Sequence, residues 1–179
     1  MSKLRDLLKN PIFIHETPNR WEPLIDFSMD ITAMAMSFHG FMFAFGFANG
    51  SIIISDSEVG SNKISFKIHK KKVTALDFTR DGHHIISGDE SGNIVITNIL
   101  DSSIIFENNC SSNEISEIKS CPTNINIFAA RDSEKHLFLC SISNKKIKII
   151  DSNSVGIVWK PNEPEILSGF QKKFEFINF

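Results

Sequence analysis

Residues 73–98, VTALDFTRDGHHIISGDESGNIVITN, constrain the fold of this chain most, because their pattern occurs twice. The stretch reads as three short strands separated by two glycine-containing turns. Val73 and Ala75 alternate with polar neighbours in the first strand, and Asp81-Gly82 supplies a tight turn, since glycine tolerates the positive φ that hairpins require. Ile85 and Ile86 lead into Ser87-Gly88, and Ser91-Gly92 makes the second turn. Ile94, Val95 and Ile96 form a third strand rich in β-branched residues. A step of 42 residues, from Val73 back to Ile31, lays residues 31–56 over this stretch without a gap. Thr32 then meets Thr74, and Ala33 meets Ala75. Gly40, Gly46 and Gly50 meet Gly82, Gly88 and Gly92, while Ile52 and Ile54 meet Ile94 and Ile96. The matches fall on turn glycines and inward-pointing strand positions, where geometry and packing restrict the choice.

Strand, Asp-Gly, strand ending in Ser-Gly, a further glycine turn and an Ile-x-Ile strand make the core of a WD-repeat blade. A period of about 40–45 residues is what a four-stranded propeller blade gives. The expected fold is therefore all-β: a WD-repeat β-propeller of about four blades, or an incomplete larger propeller. The expected layout is an N-terminal arm over residues 1–23 and a propeller over 24–179, with blades near 31–68, 73–106, 115–150 and 155–179. In the arm, Leu4, Leu7 and Leu8 fit one face of a brief helix before Pro11, Pro18 and Pro23 interrupt regular structure. Residues 24–29 read as an isolated strand of the kind that completes a last blade and hides its edge. Residues 64–68 and 103–106 serve as outer strands. The third copy is weaker: Ile115 and Ile118 match Val73 and Leu76, strands follow at 125–130, 136–140 and 146–150, and the turn glycines are gone. In the fourth, Ile166-Leu167-Ser168-Gly169 matches Ile85-Ile86-Ser87-Gly88, and Phe174 and Phe176 fill a third strand.

Composition narrows function mainly by exclusion. With 179 residues, 41% hydrophobic and 22% charged, the chain is long enough for one sizeable core. A net charge of −2 argues against global attraction to nucleic acid but leaves room for a local patch. Cys110, Cys121 and Cys140 form no CxxC pair, so reduced thiols are expected and a zinc site is not. The charged start MSKLRDLLKN lacks the apolar core of a signal peptide, and the apolar run 41–48 is too short to span a bilayer. The sequons at Asn49 and Asn109 accordingly read as chance. Of the histidines, His83 and His84 are adjacent and point to opposite faces of a strand, which does not suit a shared metal ion. No Ser/His/Asp or Cys/His signature, phosphate-cradling glycine loop or paired carboxylate is recognisable. No catalysis, cofactor, metal or small-molecule substrate is expected.

WD repeats join their strands through a His, a Ser or Thr, an Asp and a Trp. Here His69 stands four residues before Val73 and Ser87 is in place, but Ser91 occupies the Asp position and Thr97 the Trp position. In the first copy Asn49 and Ser55 stand there. The expectation is a largely dismantled network and softer blades. The local feature most suggestive of binding is the run His69, Lys70, Lys71 and Lys72, in the loop entering the second blade, with Lys63 and Lys67 nearby. Clustered cations contact phosphates with a salt-dependent, sequence-independent affinity; a plain solvated loop is the alternative. No aromatic platform is interleaved, so base stacking is not suggested.

In feature order the chain resembles the retinoblastoma-binding-protein-five family, the WD-repeat subunit of COMPASS and MLL histone methyltransferase complexes. The resemblance rests on Leu7-Leu8-Lys9-Asn10-Pro11, on the run from Ala44 through Gly50-Ser51-Ile52 to Asp56, on His69 to Val73 with Thr74-Ala75-Leu76, on Arg80-Asp81-Gly82-His83, and on the segment near Ile115. It covers residues 4–130 well and the remainder loosely. It implies a nuclear, non-catalytic scaffold that holds a SET-domain methyltransferase and its partners on the nucleosome for methylation of histone H3 lysine 4. On that basis Lys70, Lys71 and Lys72, with His69, become candidate contacts to nucleosomal DNA or a partner. Family members form a larger propeller, with partner-activating segments in a tail beyond it. The alternative is a WD-repeat interaction module of another assembly, such as RNA processing or ubiquitin ligation, which the same fold serves equally well.

Overall fold

The computed structural model describes residues 29–56, 63–151, 153–170 and 173–177. The arm at 1–23 and most of the strand expected at 24–29 lie outside them. Four antiparallel sheets follow one another along the chain, and in each the strands lie in sequence order, without crossovers. The first blade holds β1 (Ile31–Met36), β2 (Met42–Phe47), β3 (Ser51–Asp56) and β4 (Lys63–Lys67). The second holds β5 (Val73–Phe78), β6 (His84–Asp89), β7 (Asn93–Asn98) and β8 (Ile104–Asn109). The third holds β9 (Ile115–Ser120), β10 (Ile127–Asp132), β11 (Leu137–Ser141) and β12 (Lys146–Asp151). The fourth has three strands, β13 (Ile157–Trp159), β14 (Ile166–Phe170) and β15 (Lys173–Ile177).

The strands match the sequence expectation closely where alternation is strong and shift where it is weak. β10 starts later than expected, because Asn124 closes a turn first: its side-chain oxygen accepts the Asn126 amide and its carbonyl the Ile127 amide. The glycine-poor turns of the third blade are made by lysines in the left-handed region, Lys135 at φ 72° and Lys145 at φ 54°. The Lys135 amide donates to the Asp132 carbonyl at 3.1 Å, as the Gly92 amide does to Asp89 at 3.2 Å.

The cores lie between blades. A strand's side chains alternate between its two faces, so each sheet turns one set toward its predecessor and the other toward its successor. Ala44, Ile52 and Ile54 of the first blade meet Val73, Leu76, Phe78 and Ile85 of the second. Ile86, Ile94, Ile96 and Phe106 meet Ile115, Ile118 and Phe128 in the next joint, where the Phe106 and Phe128 rings pack edge to face at 6.1 Å. Ala129, Leu137 and Leu139 meet Ile157 and Ile166 in the third. Two glycines set the spacing. A Cβ on Gly46 would sit 2.5 Å from Val73 Cγ1, and one on Gly88 2.6 Å from Ile115 Cγ2. Beside them Thr32 Oγ1 donates to the Val73 carbonyl and Thr74 Oγ1 to the Ile115 carbonyl, both at 2.6 Å. The 42-residue repeat is thus a repeat of joints as well as of sheets.

Two turn glycines separate backbone strain from crowding. A methyl group added at Gly82 (φ 72°) would meet only the flexible end of Met42, at 3.3 Å. At Gly92 (φ 84°) the same methyl would collide with the Ser111 carbonyl, which is backbone and cannot swing aside. Gly82→Ala is expected to cost roughly 1 kcal/mol, the strain of a left-handed non-glycine residue. Gly92→Ala is expected to cost about 3 kcal/mol or more, since strain and a displaced backbone add. Urea unfolding of the two variants checks the difference.

Candidate functional site

The basic run occupies the short loop between β4 and β5, pinned at both ends by backbone hydrogen bonds. The His69 amide donates to the Gly50 carbonyl at 3.2 Å, and the Glu90 amide donates to the Lys72 carbonyl at 2.9 Å. The loop therefore rests on a turn of the first blade and on a turn of the second. Lys70 and Lys71 are exposed. Lys72 is half-buried, with Nζ 3.7 Å from Glu114 Oε1. Both partners of that pair are well solvated, so it contributes little to stability. The structure thus presents two ammonium groups on a fixed backbone, bordered by the exposed Glu90 and the paired Glu114. In the next joint the corresponding positions are Ser112, Asn113 and Glu114, so of the two joints only this one is cationic.

His69 lies beneath the loop surface, at 3% exposure, and belongs to a different structure from the lysines. Its Nδ1 stands 3.0 Å from Asp89 Oδ2 and its Nε2 2.8 Å from Ser87 Oγ. Asp89 Oδ1 accepts from the Ser91 amide and hydroxyl, both at 2.8 Å, and from the Asn93 amide at 3.0 Å. The expected dismantling of the network does not hold in this blade. The carboxylate has moved two positions, from the site of Ser91 to Asp89 at the end of β6, and reaches the same imidazole from there. The Trp position is the one left unfilled: Thr97 Oγ1 is buried with no hydrogen-bond partner among the described residues.

Electrostatics fit this assignment. Burial lowers the pKa of His69, outweighing the opposite pull of Asp89, so the ring is held neutral. Burial alone would raise the Asp89 carboxyl, but hydrogen bonds from Ser91 and Asn93 outweigh it and hold it below the ordinary value. Serine, histidine and aspartate within hydrogen-bond distance form the geometry of a hydrolase nucleophile, which the sequence pattern does not reveal. Here Ser87, His69 and Asp89 are 0%, 3% and 1% exposed, so no substrate carbonyl reaches Ser87 Oγ. The triad stabilises the blade.

The third blade rebuilds the unit with other residues. Asp132 Oδ2 accepts from Ser111 Oγ at 2.7 Å and lies 2.8 Å from His136 Nδ1, while Oδ1 accepts the His136 amide at 2.8 Å. Ser111 stands 42 residues after His69, and Asp132 stands 43 after Asp89, the third copy carrying one inserted residue. That paired recurrence of a polar loop residue and an aspartate is the only trace of Asp89's role that we find in the sequence.

A family model described as WD domain, G-beta repeat, matches residues 60–98. No curated protein sequence matches the chain. Among solved structures it is similar to a chain of a mitotic checkpoint complex, with 16% identity and a TM-score of 0.70 over 83% of this chain and 49% of that one. It is similar to the β-propeller domain of Cps50 (Swd1) from Myceliophteria thermophila, with 20% identity and a TM-score of 0.76 over 86% of this chain and 53% of that one. It is also similar to the computationally designed Ika4 protein, with 18% identity and a TM-score of 0.71 over 89% of this chain and 99% of that one. The chain spans about half the length of the first two, 49% and 53%. The fold is that of a WD-repeat β-propeller, with three four-stranded blades and a three-stranded fourth among the described residues.

Three outcomes test the buried network. The unfolded histidine titrates near 6.5 and the folded one lower, so below pH 6.5 the unfolded state binds more protons and stability falls with pH. Melting temperatures from neutral pH down to about one unit below that value should show this loss for the parent chain and less of it for His69→Gln. Asp89→Ala should cost roughly 2–3 kcal/mol in urea unfolding, because it strands several buried donors at once. Thr97→Val should be neutral or stabilising by about 1 kcal/mol, since it removes a buried hydroxyl that has no partner.

Proposed function

We propose that this chain is a non-catalytic WD-repeat scaffold subunit of a histone H3 lysine-4 methyltransferase complex of the COMPASS type, acting in the nucleus. The observation that carries the reading is the ordered likeness of residues 4–130 to the retinoblastoma-binding-protein-five family, from Leu7-Leu8-Lys9-Asn10-Pro11 through the second blade. The fold supports it: rigid sheets packed face to face present fixed surfaces, and the serine, histidine and aspartate that meet are sealed from solvent. A SET-domain methyltransferase and its small core subunits are the proposed protein partners.

Lys70 and Lys71 are the proposed contacts to nucleosomal DNA. They are exposed, their loop backbone is fixed at both ends, and no ion pair engages them among the described residues. Lys72 contributes less because Glu114 already neutralises part of its field. His69 contributes by holding the loop in place.

Affinity purification of the tagged native protein, followed by identification of what accompanies it, tests the reading. Recovery of a SET-domain methyltransferase supports it; recovery of RNA-processing or ubiquitin-ligation machinery overturns the assignment and leaves the propeller intact. For the DNA contact, Lys70→Ala with Lys71→Ala should weaken nucleosome binding and lower the slope of log K against log salt by about 2, roughly one per phosphate contact. An unchanged slope removes the loop from the interface.

A further inference from the structure

The repeat makes it possible to ask, position by position, what the outer face of the first blade is built to meet. In the second blade Val73, Leu76 and Phe78 are buried against the first, at 0%, 7% and 2% exposure. Their counterparts 42 residues earlier are Ile31, Met34 and Met36, at 41%, 68% and 59% exposure. β1 thus repeats a blade-docking strand, with the same apolar spacing, on a face where the described residues supply no preceding blade. Three large side chains left in water on one strand are the mark of an interaction surface.

The matching half of such a joint lies at the other end of the arc. In the first two blades the receiving face consists of four positions, an apolar residue and a glycine on the second strand paired with two apolar residues on the third. The third blade keeps the apolar residues, with Arg131 in place of the glycine. In the first blade Ala44 pairs with Ile54 and Gly46 with Ile52; in the second Ile86 pairs with Ile96 and Gly88 with Ile94. In the fourth blade the register pairs Leu167 with Phe176 and Gly169 with Phe174. Ile166, of the opposite parity, is buried against the third blade, so positions 167 and 169 fall on the far face. The glycine recurs at the position where a docking side chain enters, Val73 at Gly46 and Ile115 at Gly88. The first and fourth blades share no packed interface with each other among the described residues.

We propose that two copies of this chain join head to tail, the first blade of each docking on the fourth blade of the other, with Ile31 entering at Gly169. The occupant is a second copy because the chain carries both complementary halves of one repeated joint and its described residues do not bring them together. Two of the three similar solved structures are about twice its span, 49% and 53% being covered, so two arcs supply a ring of that order; the third, Ika4, is matched over 99% of its own length. A head-to-tail interface used twice closes under two-fold symmetry and leaves no docking face in water.

The test is the mass in solution of the full chain by light scattering after size exclusion, with variants of each half. The expected result is twice the chain mass of 20.2 kDa for the parent. Met34→Glu with Met36→Glu, which breaks only the docking half, should give the single-chain mass with unchanged circular dichroism. Gly169→Val, or Leu167→Glu should the first not fold, breaks only the receiving half and should do the same. Mixing the two single-chain variants should restore a dimer, since one intact joint remains between them. A parent chain that keeps the single-chain mass across the whole concentration series overturns the proposal. Dimers that survive both variants, a mixture that does not associate, or an open ladder of larger species overturn it as well.

Discussion

A glycine facing a branched side chain across each of the first two joints sets the geometry on which this fold depends. Gly46 and Gly88 let Val73 and Ile115 approach to distances that no side chain at those positions would allow. Close approach brings the carbonyls of Val73 and Ile115 within reach of Thr32 and Thr74, so apolar packing and a hydrogen bond reinforce each other at the same point. Because the cores lie between sheets, a blade has no complete core of its own. Stability accumulates joint by joint, as in other repeat architectures where each unit buries its apolar face on its neighbour.

The buried Ser87, His69 and Asp89 do for the entry loop what the glycines do for the sheets. The imidazole links the loop to two positions at the end of β6, and Asp89 in turn gathers the Ser91 and Asn93 turn. A loop tied in this way holds Lys70 and Lys71 in place at small entropic cost on binding, since only their side chains remain to be ordered. In the third blade, where His136 reaches Asp132 from the turn before β11 and Ser111 replaces the loop histidine, the same tie is made beneath a loop, residues 110–114, that has no lysine or arginine of its own. Structural support and surface chemistry are therefore separable in this protein: one is repeated, the other is not.

The ends of the arc show what a repeat leaves behind when a joint is not made. Ile31, Met34 and Met36 keep the apolar character of Val73, Leu76 and Phe78, although the described residues give them nothing to bury against. The fourth blade keeps the glycine of the receiving face.

Much of this was legible in the sequence because hairpin turns and blade joints demand particular residues locally. Glycine at left-handed turns, alternating branched residues and a 42-residue period determined the all-β class, the blade order and nearly every strand. The loop lysines could be read directly too, since a charge run needs no partner to be visible. What the sequence did not determine was which groups meet. Asp89 lies two residues from the position where the repeat pattern places the carboxylate, and only the sheet register carries it to His69. The same register buries His69, separating it from the lysines that follow it in the chain. It also decides that the apolar residues of β1 face outward. Hydrogen-bond partners and burial depend on atoms distant along the chain, and a local pattern specifies the strand but not the face against which it comes to rest.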